Sequence, residues 1–127
     1  MYAGAAKIDI TPSGPVWMDG MLRAHQSEGV HDPLYVRALV LSPSAERAEA
    51  VALVAIDVCA VSDREAIPAR EAAAAAAGIP FERVLVHATH FALGRRLLLR
   101  HLADAVRDEI NHVEPGDSLL LQEVDRV

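Results

Sequence analysis

Two histidines and a threonine stand where a short apolar strand is predicted to end. In residues 82–93, ERVLVHATHFAL, the apolar run leads directly into His87, Thr89 and His90. Imidazole nitrogens at the end of a strand can reach into a crevice, and neutral imidazole is a common zinc ligand. We therefore expect a metal or polar-substrate site here, with His90 as the better ligand candidate. For His87, the alternative interpretation is a histidine hydrogen-bonded within the sheet.

Asp57 is a further candidate, because it lies near the end of the apolar run AVALVAIDV at residues 50–58. A buried carboxylate needs a partner, since desolvating it unpaired is very unfavourable. If the strands that end near Asp57 and Ala88 are parallel neighbours, their carboxyl ends lie side by side at the edge where open α/β sheets bind ligands. Asp57, His87 and His90 would then share one crevice. Two interpretations stay open: Asp57 serves this site, or it hydrogen-bonds nearby loop amides.

Other polar residues are weaker candidates for contacts with a substrate or with a metal ligand. His31 lies next to Asp32 in a long loop, from which it can reach the same crevice, although an Asp-Pro pair is also a common turn. Arg37 falls within a predicted strand, where it either faces solvent, the default, or pairs with a buried carboxylate. No nucleophile is identified, because Ser13 and Ser27 lack the strand-to-helix elbow of hydrolases.

Composition and charge exclude several classes of protein. The 127 residues suffice for one domain with an ordinary core, since 52% are hydrophobic and 24% are charged. A formal net charge of −6 and a single lysine argue against binding to nucleic acid. The only cysteine, Cys59, excludes an internal disulfide. Neither a signal peptide nor a transmembrane run of about 20 apolar residues is visible, which predicts a soluble protein, with the cytoplasm as the expected location.

Apolar periodicity predicts one small α/β domain with a mixed, mostly parallel sheet and two main helices. Strands are expected at residues 4–10, 34–41, 50–58, 83–88 and 118–124, with a hairpin turn at 42–49. The first helix lies between Ser62 and Gly78, with a capping-box pattern and a glycine C-cap. Its Pro68 either kinks the helix or is its first residue. The strand-helix-strand order predicts a right-handed crossover between parallel strands.

The second helix is predicted to be amphipathic. Within residues 95–113 the apolar positions recur every three or four residues, at Leu99, Leu102, Val106, Ile110 and Val113. Charged residues occupy the rest of the helical wheel, at Arg100, Asp104, Arg107 and Asp108. Such a helix has one face that must be buried against another element.

Four segments follow one another along the chain: AGAAKIDITP, GVHDPLYVRALVL, VALVAIDVCAVS and GIPFERVLVHATH. In this order and at this spacing they resemble the N-terminal domain of the neutral/alkaline, non-lysosomal ceramidases. The resemblance is strongest over residues 3–90, and residues 1–127 are interpreted as one ceramidase-like domain. It implies a zinc-dependent amidase of sphingolipid metabolism, which cleaves the N-acyl bond of ceramide, an N-acyl sphingoid lipid.

The resemblance also implies one zinc ligand. In the family the last motif continues as ATHTHSGP, and its first histidine binds zinc; the matching residue here is His90. Ala92 and Leu93 replace the second histidine and the serine of that motif. No motif is found for the family's other histidine, its glutamate, its tyrosine or its nucleophilic serine. Residues 99–124 resemble a helix and strand that come much later in such domains, which indicates loss of a central block.

Two functions of different class follow. In the first, zinc on His90, with Asp57 orienting it, promotes hydrolysis of a lipid amide. In the second, the shortened domain is inactive and serves in binding or self-association, because losing a block exposes apolar surface that a homo-oligomer can cover. The family resemblance favours the first. The missing ligands favour the second, since a catalytic zinc usually has three protein ligands and an open position.

Overall fold

The computed structural model describes residues 1–18 and 25–90. Its strands, in chain order and in spatial order, are β1 (Tyr2–Asp9), β2 (Tyr35–Ser42), β3 (Val51–Ile56) and β4 (Val84–Ala88). Within these ranges one α-helix, α1 (Asp63–Ala77), links β3 to β4, and short 3-10 turns occur at Arg47–Glu49 and Phe81–Arg83. The first four predicted strands and the first predicted helix are confirmed. The predicted helix 95–113 and strand 118–124 lie outside the described residues.

The described sheet is mixed but mostly antiparallel. β1 pairs antiparallel with β2, and β2 with β3, whereas β3 and β4 are parallel neighbours. The hairpin and the parallel β3–α1–β4 unit were predicted correctly, but the prediction of a mostly parallel sheet is wrong. That prediction took the apolar run of β3 to be buried on both faces, as in parallel sheets. In fact Val51 is exposed and Leu53 is half-buried, so β3 has only one fully buried face.

Helix α1 begins at Asp63 and continues through Pro68, so neither the helix start at Pro68 nor an interruption there is observed. At its N-terminus the Glu65 carboxylate accepts hydrogen bonds from the backbone N–H of Ser62 (2.8 Å) and from its hydroxyl (2.6 Å). Farther along, buried alanines recur at every fourth position, at Ala69, Ala73 and Ala77. Their small side chains allow the helix to approach the sheet closely.

The two faces of the sheet differ. On one face, alternate residues of β2, β3 and β4 pack with the alanines of α1 into a hydrophobic core that includes Val36, Val54, Ile56 and Val84. Strand register places the remaining side chains in rows on the other face, which we call the open face. One row is Ala5, Leu39, Leu53 and Leu85. The next row, towards the carboxyl ends of β3 and β4, is Lys7, Arg37, Ala55 and His87.

The open face keeps apolar side chains in contact with solvent. Leu85 is 54% exposed, Val51 40% and Leu39 37%. The described elements therefore cover only one side of the sheet. No helix within residues 1–18 and 25–90 is long and apolar enough to cross a membrane.

Gly78 gives a direct test of how α1 ends. This residue has the left-handed φ of 65°, and its N–H donates to the carbonyl of Ala74. A methyl group added at Gly78 would make only ordinary contacts, the nearest with the Arg47 side chain at 3.9 Å. Gly78→Ala should therefore act through backbone strain alone and lower the free energy of unfolding by about 1–2 kcal/mol in urea denaturation.

Gly14→Ala is the matched control, because an added Cβ there has no neighbour within 4 Å. It should leave the urea midpoint nearly unchanged. Equal midpoints for the two variants would contradict a left-handed cap at Gly78.

Candidate functional site

The candidate site lies where β3 and β4 end side by side. Because these strands are parallel, the residues that follow them meet at one edge of the sheet: Asp57 after β3, Thr89 and His90 after β4. The backbone N–H of Thr89 donates to the carbonyl of Ile56 at 2.9 Å, which continues the strand ladder beyond Ala88. The structure thus brings three of the sequence-predicted residues to the same edge.

The Asp57 carboxylate is the centre of a hydrogen-bond network. It is 7% exposed and accepts bonds from three directions. The backbone N–H of Tyr35 donates to Oδ2 at 2.9 Å, the Arg37 Nη1 reaches both oxygens at 2.8 Å, and the Thr89 hydroxyl donates to Oδ1 at 3.0 Å. Both carboxylate oxygens therefore have partners, and Asp57 has the arrangement of a residue that positions its neighbours.

The network fixes the charge of Asp57. Burial raises the pKa of this carboxyl, but the hydrogen bonds from Tyr35, Arg37 and Thr89 and the positive charge of Arg37 outweigh burial, and the net pKa lies below its ordinary value. Arg37 is 47% exposed along its side chain and also lies over the Tyr35 ring, 5.0 Å from the ring centre. Of the two sequence interpretations for Arg37, pairing with a buried carboxylate is the one observed.

His90 is held by the loop that follows β3. Its Nδ1 lies 3.0 Å from the backbone carbonyl oxygen of Cys59. A carbonyl can only accept, so Nδ1 carries the proton, and in the neutral ring the lone pair is on Nε2. His90 has a left-handed φ of 64°, and within the described ranges it is the one non-glycine residue with a positive φ. Histidine is one of the few side chains enriched in this conformation, which is strained for most others.

His87 and His31 take different positions. The register places His87 on the open face opposite Ala55, where its ring is exposed and its Nδ1 lies 3.3 Å from the carbonyl oxygen of Ala88. His31 lies in the loop before β2, with its Nδ1 2.8 Å from the Asp32 carboxylate. That hydrogen bond, together with the negative charge of Asp32, raises the pKa of His31.

A pocket of about 180 Å³ adjoins the same edge of the sheet. His31 and Asp32 line it together with apolar residues that include Val16 and Leu34. The hydroxyl of Thr11 accepts a bond from the N–H of Leu34 at 2.8 Å, which fixes the chain just before the amide that binds Asp57. The pocket and the Asp57 network are therefore neighbours along β2.

Among the described residues, His90 has the hydrogen bond typical of a metal-binding histidine, but no complete set of metal-binding side chains is present. A histidine that binds zinc through Nε2 usually donates its other ring N–H to a carbonyl or carboxylate, which is the arrangement of His90. Within residues 1–18 and 25–90, however, no group of three His, Cys, Asp or Glu side chains is placed to hold a metal ion. The oxygens of Asp57 are already engaged with Arg37 and backbone. A catalytic zinc would need further ligands from elsewhere.

Several hydrogen-bond partners in this site could not be predicted from the sequence, because they are not side chains. The carbonyls of Ile56 and Cys59 and the amide of Tyr35 are backbone groups, which any residue type can supply. The pairing of Arg37 with Asp57 did have a signal. In a hairpin, residues two apart on one strand share a face, and Arg37 pairs with Ala55, two positions before Asp57.

Comparison of the chain with protein-family models, with curated proteins and with solved structures finds no match.

The Asp57 network predicts a pH-dependent loss of stability. Because the folded-state pKa of Asp57 is lowered, the ionised carboxylate stabilises the fold above the unfolded pKa of about 3.9, and this contribution is lost as the pH falls through the folded-state pKa. Asp57→Asn should lower the free energy of unfolding by about 2 kcal/mol at neutral pH. The difference from wild type should shrink in acid, as measured by urea denaturation at a series of pH values.

Glu71→Gln on the exposed side of α1 is the matched control. It removes a carboxylate without touching the network and should change stability by less than about 0.5 kcal/mol. A deficit for Asp57→Asn that is the same at pH 3 and pH 7 would show that the charge of Asp57 is not the source.

The bond from His90 to Cys59 predicts the tautomer of the neutral ring. Neutral His90 should carry its proton on Nδ1, whereas a free histidine prefers the proton on Nε2. Long-range ¹H–¹⁵N correlation spectra of the ring distinguish the two tautomers, and spectra in concentrated urea give the unfolded reference. An Nε2-protonated ring in the folded chain would contradict the bond to the carbonyl of Cys59.

Proposed function

We propose that the chain is a zinc-dependent amide hydrolase domain of the neutral ceramidase type, in which His90 is a zinc ligand. The observation that carries the proposal is the fixed ring of His90. Its Nδ1 is bound to the carbonyl of Cys59 at 3.0 Å, which leaves Nε2 with a lone pair to offer to a metal. His90 is also the position that the ceramidase-like motif assigns to zinc.

The surrounding network supports this role for His90. Thr89, the preceding residue, is tied to β3 by its N–H and by its hydroxyl, which lies 3.0 Å from Asp57 and 3.2 Å from the carbonyl of Ile56. Asp57 is in turn held by Arg37. These contacts hold the backbone that carries the imidazole, so less conformational entropy is lost on binding a metal.

A zinc ion held here would supply Lewis-acid polarisation of an amide carbonyl and an activated water. His90 would provide one ligand, and Asp57 with Thr89 would keep it in position. The described residues contain no group of three metal-binding side chains, so at least one further ligand would come from outside residues 1–18 and 25–90. The substrate class, an N-acyl sphingoid lipid, follows from the family resemblance alone.

A second candidate function is a catalytically inactive domain that serves in binding or self-association as a homo-oligomer. The observation that favours it is the lack of a three-residue metal group among the described side chains. Exposed apolar residues on the open face point the same way, since such surface is commonly covered by a partner. Zinc binding and amide hydrolysis separate the two candidates.

Zinc binding is the first test. Wild-type protein should bind about one zinc per chain. In His90→Asn the Kd for zinc should rise more than about 100-fold, because loss of a ligand weakens zinc binding more than loss of the hydrogen bond that orients the ligand. Asparagine is chosen because it tolerates the left-handed φ of His90, so the backbone is preserved. Calorimetric titration and elemental analysis give the affinity and the stoichiometry.

The matched control is His25→Asn, which removes another exposed imidazole in a loop. It should bind zinc as wild type does. His87→Asn asks separately whether His87 is a second ligand. If His90→Asn leaves the Kd and the stoichiometry of zinc unchanged, the proposal is overturned.

Hydrolysis is the second test. Zinc-loaded wild-type protein should release fatty acid from a fluorescent N-acylsphingosine, and His90→Asn should abolish the release. Zinc binding through His90 without any hydrolysis of lipid amides would favour the inactive, binding function instead.

A further inference from the structure

The open face of the sheet is an apolar surface that the described elements leave uncovered. Leu39 and Leu85 are exposed, and Leu53 lies between them in the same row. A β-sheet with one helical layer buries one of its faces, and the other normally needs a second layer when it is apolar. The strands carry valine and isoleucine on the face that α1 covers, and leucine and valine on the open face, so both faces of the sheet are apolar.

The same chain contains a second apolar face without a described partner. Residues 95–113 carry one stripe of apolar side chains at helical spacing, with charged residues on the remaining wheel. A helix of this length is about 28 Å long. The strands it would cover have five to eight residues, or about 17–26 Å. The stripe is therefore long enough to cross the whole open face.

We propose that residues 95–113 pack as a helix on the open face and form the second helical layer of the domain. The described chain ends at His90, directly after β4, and residues 91–94 are the only link between the two. Through so short a link the effective concentration of the segment at the sheet is millimolar or higher. A second copy of the chain at micromolar concentration competes poorly with a tethered segment of matching apolar pattern.

The handedness rule for crossovers permits this path. Helix α1 leads from β3 outward to β4 on one face, so a right-handed connection that returns from β4 towards β1 runs over the opposite face. β1 is parallel to β4, because it is antiparallel to β2 and β2 is antiparallel to β3. The outer edge of β1 is unpaired within the described sheet and can accept the strand predicted at 118–124.

A second helical layer would depend neither on zinc nor on hydrolysis. It would cover a surface made by Leu39, Leu53 and Leu85, whereas the proposed ligand is His90. A chain without metal or activity could still have this second layer, and an active one could lack it. The experiments below therefore succeed or fail separately from those on the proposed function.

Cysteine cross-linking of the full chain tests the proposal. In a Cys59→Ser background, Leu39→Cys is combined with Val106→Cys, at the centre of the open face and of the apolar stripe, and treated with a short bismaleimide at dilute protein concentration. An intrachain cross-link is expected. The matched control combines Val106→Cys with Ile67→Cys, an exposed position on α1, and should give none.

The other outcomes overturn the proposal. Cross-linking through Ile67 alone would place the segment on the α1 side of the sheet. If the cross-link between Leu39→Cys and Val106→Cys forms only between two chains and disappears on dilution, the open face is covered by a second copy of the chain. No cross-link in either pair would leave the open face uncovered.

A double-mutant cycle gives an independent measurement with milder changes. Leu39→Ala and Val106→Ala are compared singly and together by urea denaturation. If the side chains pack together, their effects on the unfolding equilibrium constant should be non-additive by roughly tenfold. If the double variant changes the unfolding equilibrium constant by the product of the two single-variant changes, within about twofold, direct packing is contradicted.

Discussion

The carboxylate of Asp57 joins the three strands on which the candidate site depends. It lies buried at the end of β3, accepts the N–H of Tyr35 and the guanidinium of Arg37 from β2, and receives the Thr89 hydroxyl that follows β4. A buried charge without partners would destabilise the fold by several kcal/mol, so the folded state depends on these contacts. One residue thereby couples the antiparallel hairpin to the parallel crossover unit.

That coupling explains how a strained residue can persist at the edge of the sheet. A left-handed histidine costs of order 1–3 kcal/mol, and such residues persist where the surrounding structure holds them. Thr89 is bound to Ile56 and Asp57, and the His90 ring is bound to the carbonyl of Cys59. Histidine is among the side chains that adopt this φ more readily than most. The backbone and the ring of His90 are therefore both held in one orientation at the edge of the sheet.

The alanines of α1 set the shape of the covered half of the domain. Ala69, Ala73 and Ala77 present a narrow, small surface to the sheet, so the helix contributes contact through close approach more than through large side chains. The core is accordingly built mainly from valine, isoleucine and alanine, with Leu34 at its edge, and its largest fully buried side chains are Ile56, Val54, Val58 and Val84. The leucines of the strands point the other way. The leucines of the strands, Leu39, Leu41, Leu53 and Leu85, therefore lie on the open face, where a second layer would bury them.

The sequence by itself determined the local elements, and only the tertiary structure decided how they meet. Apolar periodicity located four strands and α1, and Gly78 marked where the helix stops, because these depend on nearby residues. The sequence also singled out Asp57 and His90, since polar side chains at the ends of apolar runs are conspicuous. It did not determine that β1 pairs antiparallel with β2, because a long loop joins these strands and an apolar run looks alike in parallel and antiparallel sheets. Nor could it reveal the carbonyl of Cys59 beside His90, because a backbone group has no residue-type signature and becomes a partner only through folding.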